Sequence, residues 1–215
     1  MLFRSVVGPD RQPARDVWII SRIIMKPTPG AWKVWHGDHS SSGRDGRFEL
    51  HGLDPDGEVP VHFLDPERRL GAMAVFSGKS AVGGAVTISL TPCGSAKARL
   101  VNPNGKPFAG RLPRRIITMV VTPGPPDTLA NEKAGLLAAD EAELNQIDPT
   151  NYEIPLASDA DGRITLPVLI PGATYRFIDP TTTRDPIGPQ VRKEFTVKPG
   201  EILDLGDILI ERPQH

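Results

Sequence analysis

The sequence has little cysteine and no long apolar run. Its one cysteine, Cys93, excludes a disulfide framework within the chain. The longest apolar stretch, residues 17–25, is interrupted by Ser21 and Arg22, so nothing approaches the ~20 apolar residues of a membrane helix. The first residues also lack an apolar run of signal-peptide length. We therefore expect no direct membrane insertion, and the residues alone leave the localisation unknown.

An excess of one charge is also missing. The chain has 25 Lys and Arg residues against 26 Asp and Glu residues, which gives a formal net charge of −1. A general nucleic-acid binder or a polybasic membrane binder needs a positive excess, so we expect no nucleic-acid partner. The 215 residues, of which 39% are hydrophobic, suffice for one large or two small domains with hydrophobic cores.

Glycine and proline are abundant. The 21 glycines and 23 prolines make up about one residue in five, whereas ~12% is usual. Turns this frequent leave no room for long helices and indicate short strands. One segment differs, because residues 127–147 are rich in Ala, Leu and Glu, which predicts a short helix in an insertion at about residues 123–152. The commoner alternative for such an insertion is a surface decoration that covers a sheet edge.

An internal repeat divides the sequence into two similar copies. Residues 45–66 and 161–180 share the same order of apolar positions and turns. The matching turn residues are Asp45, Gly46, Pro55 and Gly57 in the first copy and Asp161, Gly162, Pro171 and Gly172 in the second. We therefore predict two domains, residues 1–91 and 95–213, joined by a short rigid linker near Pro92. Since residues 3–7 already predict a strand, the first domain is expected to be N-terminally truncated.

Each copy consists of short runs of strand-forming residues bounded by turn residues. Residues 97–101 alternate apolar and polar side chains, as a half-buried strand does, and residues 115–122 are rich in Ile and Val, as buried strands are. The turns carry residues that accept positive φ or cap the backbone. The predicted structural turn residues are Asn104, Gly105, Asp161, Gly162, Pro171, Gly172, Asp45 and Gly46. Many short strands with frequent turns predict an all-β sandwich.

The second copy resembles the carboxypeptidase regulatory-like domains, which are transthyretin-like, Ig-like β-sandwich modules. The matching segments are Asn102-Pro103-Asn104-Gly105-Lys106-Pro107, Ser158-Asp159-Ala160-Asp161-Gly162-Arg163 and Leu169-Ile170-Pro171-Gly172-Ala173-Thr174-Tyr175. The first copy diverges, because its opening turn, residues 8–13, lacks the Gly before the basic residue, and its second turn has Gly43 in place of the first Asp. The resemblance therefore implies two tandem modules, of which the first is divergent.

The resemblance implies a non-catalytic role. Modules of this kind occur in tandem as extracytoplasmic parts of bacterial envelope proteins. For this chain that implies a structural spacer or an interaction domain, with a protein partner or covalently linked neighbouring domains. No catalytic residue, metal ligand or cofactor is predicted, and Cys93 has no base beside it that would activate a thiol.

Two alternatives remain open, both on the first copy. The possible ligand-binding residues are Trp32, Trp35, His36 and His39. Aromatic rings with polar neighbours can stack on sugar rings, which would make this a carbohydrate- or small-ligand-binding module, although Trp more often packs in a core. The lower-ranked alternative is a metal-dependent enzyme with His36, Asp38 and His39 as ligands. A polar loop between two strands is the more frequent explanation of this segment.

Overall fold

The described part of the chain consists of strands and the turns and loops between them. The computed structural model describes residues 4–20, 39–50, 58–77, 85–111, 117–120, 141–143, 157–179 and 190–210. All regular secondary structure in these ranges is β, which confirms the all-β fold predicted from the sequence. None of the residues in these ranges belongs to a helix that could cross a membrane.

The strands are short, as the frequent turns predict. In the first half of the chain they are β1 (Arg4–Val7), β2 (Trp18–Ile20), β3 (His39–Ser41), β4 (Glu58–Asp65), β5 (Leu70–Ser77), β6 (Val86–Ser89) and β7 (Thr91–Pro92). In the second half they are β8 (Gly94–Val101), β9 (Gly110–Arg111), β10 (Ile117–Val120), β11 (Glu141–Glu143), β12 (Ala157–Ser158), β13 (Arg163–Leu169), β14 (Tyr175–Asp179), β15 (Gln190–Phe195) and β16 (Ile202–Leu209).

The strands form sheets that stay within one half of the chain. The first half contains a five-stranded sheet in the order β3-β2-β4-β5-β7 and the pair β1-β6. The second half contains a four-stranded sheet, β11-β10-β14-β15, a three-stranded sheet, β13-β8-β16, and the pair β12-β9. Two pairings, β1 with β6 and β8 with β16, are parallel, and the other strand pairs are antiparallel.

Two hydrophobic clusters form the core, each between two sheets. The first lies between the β1-β6 pair and the five-stranded sheet, where the ring of Phe48 packs edge-on against Phe63 and Phe76. The second lies between the three-stranded and four-stranded sheets, around the fully buried Tyr175 and Phe177. Since successive side chains of a strand point to opposite faces, each sheet contributes one face to its cluster. Two packed sheets per cluster are the arrangement of a β-sandwich.

The structure differs from the sequence-based prediction at three places. Glu141–Glu143 lies in the segment predicted to be helical but forms strand β11, because pairing with β10 outweighs the intrinsic helix preference of Ala and Glu. The rest of the predicted helix lies outside the described residues. Pro92, near which the sequence predicts a linker, is the second residue of β7, which pairs with β5. The apolar residues 202–203 and 208–210, which Gly206 separates, predict two strands, whereas the structure has one strand, β16, from Ile202 to Leu209 with an irregularity next to Gly206.

Candidate functional site

The possible ligand-binding residues lie almost entirely outside the described part of the chain. This applies to Trp32, Trp35 and His36. His39 is the first residue of β3, where its backbone pairs with Ile20 of β2. Among the described residues there is no group of three or more His, Cys, Asp or Glu that could hold a metal ion. The binding hypothesis for this segment therefore stays a prediction.

The predicted turn at Asp161 and Gly162 is the centre of a hydrogen-bonded framework in the second half. Gly162 has a φ of 77°, and its carbonyl accepts a hydrogen bond of 2.7 Å from the backbone N–H of Leu100. The carbonyl of Leu100 in turn accepts a bond of 2.9 Å from the N–H of Phe108. The carboxylate of Asp159 caps the turn, since its Oδ1 accepts from the N–H of Asp161 at 2.9 Å. These bonds join β8, the opening turn and the start of β13.

The first half contains the same framework at the positions matched by the repeat. Gly46 has a φ of 73°, and its carbonyl accepts a bond of 2.9 Å from the N–H of Val6. The carbonyl of Val6 accepts a bond of 2.9 Å from the N–H of Ala14. Side-chain capping differs in detail, because Asp45 Oδ1 accepts from the N–H of Arg47 at 3.1 Å. The two halves therefore share their strand-to-turn connections although few of their side chains are identical.

The opening turns match in the same way. In the second half Gly105 has a φ of 76°, and Asn104 Oδ1 accepts from the N–H of Lys106 at 3.1 Å. In the first half Arg11 takes the left-handed conformation with a φ of 63°, and Asp10 Oδ1 accepts from the N–H of Gln12 at 3.0 Å. A left-handed residue other than glycine is less stable by about 1–2 kcal/mol. The missing glycine of the divergent copy is thus accommodated without a change of turn.

Two buried serines, which the sequence analysis did not identify, fasten these frameworks. The Ser42 hydroxyl donates to the carbonyl of Ala14 at 2.8 Å and accepts from the N–H of Val17 at 3.1 Å. In the second half the Ser158 hydroxyl donates to the carbonyl of Phe108 at 2.5 Å. Each serine comes directly before the repeated turn in the sequence, at Gly43 and at Asp159. That shared position is a signal that alignment of the two copies could have revealed.

The two halves meet in a packed junction. Strand β4 is buried on both faces, since Phe63 belongs to the first cluster whereas the adjacent Leu64 belongs to the second. Ile20 of β2 also belongs to the second cluster. The backbone of β5 comes close to the second half, because a methyl group at Gly71 would lie 3.3 Å from Cγ2 of Ile170. Side chains from the first half therefore complete the core of the second.

Cys93 lies in this junction between β7 and β8. Burial, and secondly the negative charge of Asp65, raises the pKa of the Cys93 thiol to about 12. A thiol with such a pKa is protonated at neutral pH and is a poor nucleophile. Nearby, the hydroxyl oxygen of the fully buried Tyr175 accepts a hydrogen bond of 2.7 Å from the N–H of Ile170. Burial raises the pKa of Tyr175 above its ordinary value. The Cys93 and Tyr175 side chains are thus neutral at physiological pH and suited to packing, not to acid–base chemistry.

His62 on β4 is a buried titratable residue. Its side chain is 2% exposed, and within the described structure its Nδ1 has no hydrogen-bond partner. Burial lowers the pKa of His62 to about 4, and a hydrogen bond with the backbone of Ile20 opposes this shift in part. The imidazole is therefore neutral at physiological pH. In the five-stranded sheet, His62 stands opposite Ile20 of β2 on one side and opposite Met73 of β5 on the other.

A shallow hollow of ≈ 560 Å³ lies over the outer face of the sheet β13-β8-β16. Charges of both signs line it, including Lys97, Arg99, Arg163 and Asp207. Arg99 stands between Arg163 on β13 and Asp207 on β16 in the strand register, and its guanidinium is 3.1 Å from the carboxylate of Asp207. Arg163 pairs with Asp161. The hollow has no excess of one charge, so nothing in its lining selects an anion or a cation.

Comparisons with known proteins give only distant likenesses. No protein-family model matches the chain, and no curated protein matches it. Similar solved structures include a streptococcal ancillary pilin (TM-score 0.32, 14% identity, 99% of this chain and 62% of that one). They also include the shaft pilin SpaA of Lactobacillus rhamnosus GG (TM-score 0.30, 12% identity, 100% of this chain and 98% of that one).

A third similar structure is the Bacillus anthracis TIE protein (TM-score 0.27, 11% identity, 97% of this chain and 33% of that one). The chain thus spans 33% of the TIE protein and 62% of the ancillary pilin. At such low scores the likenesses say nothing about activity. The fold assignment rests on the strands and sheets of this chain.

Proposed function

We propose that this chain is a non-catalytic structural spacer or interaction module composed of two tandem β-sandwich domains. The domains comprise residues 1–91 and 95–213, with an insertion at about residues 123–152 in the second. The repeated framework around Gly46 and Gly162 supports this division, since the same backbone bonds recur at positions that the repeat matches. The same turns carry the resemblance to carboxypeptidase regulatory-like domains, and we assign both copies to that type.

The single observation that carries the proposed function is the packed junction. Only Cys93 separates β7, which belongs to the sheet of the first half, from β8, which belongs to the second. Leu64 and Ile20 complete the core of the other half, so relative rotation of the halves would expose apolar surface. A connection without a flexible linker holds the two domains at a fixed angle, which is what a spacer between neighbouring domains requires.

The proposed setting is an envelope-associated bacterial protein. There the chain would hold covalently linked neighbouring domains apart or bind a protein partner on the extracytoplasmic side. The support is the resemblance of residues 102–107 and 158–175 to modules found in such proteins. The neutral, partly buried Cys93 and the neutral, fully buried Tyr175 agree with a role without chemistry.

A distance measurement between the halves tests the spacer function. Spin labels are attached at Arg15→Cys and Lys106→Cys, which are exposed positions, in a Cys93→Ala background. We expect a narrow distribution of label-to-label distances by pulsed electron paramagnetic resonance. The matched control has four glycines inserted after residue 93, which should broaden the distribution while each half stays folded. A native-length chain as broad as this control would refute the rigid spacer.

A further inference from the structure

Among the described residues, strand β5 has an outer edge that is unpaired over most of its length. On one side β5 pairs with β4 along all of Leu70–Ser77. On the other side β7 pairs only with Leu70 and Gly71. In the described part of the chain no strand continues this pairing along residues 72–77. The five-stranded sheet therefore ends in an edge that begins where β7 stops.

The backbone groups on this edge belong to Met73 and Val75. The N–H of Cys93 donates to the carbonyl of Arg69 at 2.9 Å, and Gly71 pairs with Thr91 in the same ladder. Because backbone groups point to alternate sides of a strand, those of Met73 and Val75 point to the same side as those of Gly71. Pro60 of β4, which stands opposite Val75, gives independent support. Because proline has no N–H, this pair cannot exchange two backbone hydrogen bonds, so the backbone groups of Val75 point away from β4.

The side chains on this edge are apolar and exposed. Met73 is 38% exposed and Val75 is 53% exposed. Gly172 of the second half lies next to the side chain of Met73. Because side chains project from the faces of a sheet, Gly172 lies over a face of the five-stranded sheet and not beside the edge of β5. Natural proteins usually protect a sheet edge with charged residues, proline or a bulge. The β5 sequence, LGAMAVFS, has no charged residue and no proline.

A second edge strand of the same chain shows the usual protection. β15 ends the four-stranded sheet, and its sequence, QVRKEF, has three successive charged residues, Arg192, Lys193 and Glu194. It also presents an exposed apolar residue, Val191, with 42% exposure. Apolar exposure is thus common to both edges, and the absence of charge is particular to β5. Such an edge is suited to pairing with another strand.

We propose that β5 pairs antiparallel with β5 of a second copy of this chain, around a two-fold axis at Ala74. β7 pairs with the start of β5, and β7 of the partner subunit would lie beside the other end. The residues left for pairing are 72–76, which are centred on Ala74. Met73 then faces Val75 of the partner subunit, and their outward backbone groups form the hydrogen-bonded pair. Ala72 faces Phe76 of the partner subunit, which sets a small side chain against a large one.

The occupant is a second copy because the strand complements itself. A two-fold pairing at Ala74 places residues 73 and 75 diagonally opposite their own copies, so charged residues there would bring like charges together. β5 carries none. The pairing joins the two five-stranded sheets into one continuous sheet and removes the open edge from both subunits.

Sedimentation velocity from low-micromolar to near-millimolar concentration tests this proposal. The native chain should shift reversibly from monomer to dimer. Val75→Lys places two like charges close together at the axis and should raise the dimer dissociation constant by about tenfold or more. Val75→Thr, which keeps the branched shape, and Val191→Lys on β15 should leave the dissociation constant nearly unchanged. A chain that stays monomeric throughout, or a dimer that Val75→Lys does not weaken, would overturn the proposal.

Hydrogen exchange identifies the strand and the register. The amides of Met73 and Val75 should exchange more slowly at high protein concentration than at low concentration. Those of Ala72 and Ala74 point to β4 and should exchange equally at both concentrations. A dimer in which the Met73 and Val75 amides gain no protection, including a dimer that uses another surface, contradicts pairing through β5.

Discussion

At the residue scale, Gly46 and Gly162 combine a left-handed backbone conformation with a close backbone contact that leaves no room for a side chain. A methyl group at Gly162 would lie 2.4 Å from the carbonyl oxygen of Leu100, which is closer than real side chains approach the backbone. The φ of 77° adds the usual penalty for a left-handed residue. Gly46 is in the same situation, 2.5 Å from the carbonyl oxygen of Val6. Gly105 differs, because nothing lies within 4 Å of a methyl group there.

We therefore predict that Gly162→Ala lowers the free energy of unfolding by about 3 kcal/mol or more, since both strain and a backbone clash contribute. Gly105→Ala should lower it by only about 1 kcal/mol, because the left-handed φ is the only cause. Urea denaturation of the two variants at one pH gives both values. Equal losses in the two variants would show that the close approach to Leu100 has no energetic consequence.

His62 makes the stability of the chain depend on pH. Burial lowers its pKa in the folded chain from 6.5 to about 4, so the unfolded chain binds a proton that the folded chain does not. The contribution of the neutral His62 to the free energy of unfolding is complete above pH 6.5 and is lost as the pH falls towards 4. The loss has a slope of at most about 1.4 kcal/mol per pH unit.

We predict that His62→Leu, which cannot titrate, has a flatter dependence of unfolding free energy on pH between 6.5 and 5 than the native chain. The difference in slope should approach one proton per molecule, measured by urea denaturation at closely spaced pH values. All other histidines are common to both proteins and cancel in the comparison. Parallel pH profiles would mean that His62 is protonated equally in the folded and unfolded chains.

At the element scale, buried serine hydroxyls fasten strands to the turns beside them. Ser42→Ala leaves the carbonyl of Ala14 and the N–H of Val17 without their partner, so we predict a loss of about 1–3 kcal/mol of unfolding free energy. The matched control is Ser5→Ala, because the Ser5 hydroxyl makes an exposed contact of 3.3 Å with Thr87. That control should change the free energy by less than about 0.5 kcal/mol. Thermal and urea unfolding measure both, and similar losses would contradict the role of Ser42.

The turns and the main strands could be predicted because local chemistry determines them. Asp161 and Gly162 combine a capping carboxylate with a residue that accepts positive φ, and this combination needs no information about the rest of the fold. Glu141–Glu143 could not be predicted as a strand, because its residues favour a helix slightly and only pairing with β10 decides the outcome. Pro92 similarly indicates an interruption, yet it lies at a strand position that needs no N–H.

The features that make candidate sites were harder to find in the sequence. His62 lies in the mostly apolar strand β4. Its burial depends on the neighbouring strands β2 and β5 and on the second half of the chain, which covers the other face of this sheet. The open edge at Met73 and Val75 depends on where β7 stops, which is a matter of long-range pairing. Periodicity shows which side chains share a face but does not show which strand lies at an edge.

At the scale of the whole molecule, the junction decides whether the chain behaves as one body or two. Among the described residues, Ile20, Leu64 and the partly buried Trp18 belong to the first half of the chain but pack in the cluster of the second. Domains within one chain usually move relative to one another unless their interface is large and apolar. Shared core residues and a single residue between β7 and β8 favour one rigid body, which is the outcome that the spin-label distances are designed to detect.

The parallel pairs β1-β6 and β8-β16 have a mechanical consequence. In the first half β1 lies beside β6, in the second half β8 lies beside β16, and the two strands of each pair run in the same direction. A pull on Arg4 and Ser89, or on Gly94 and Leu209, therefore draws the two strands lengthwise past each other. All hydrogen bonds of the pair then bear the load at once, whereas a hairpin pulled at its open end would lose them one after another. A chain under tension between two neighbours would thus resist extension through these two ladders in series.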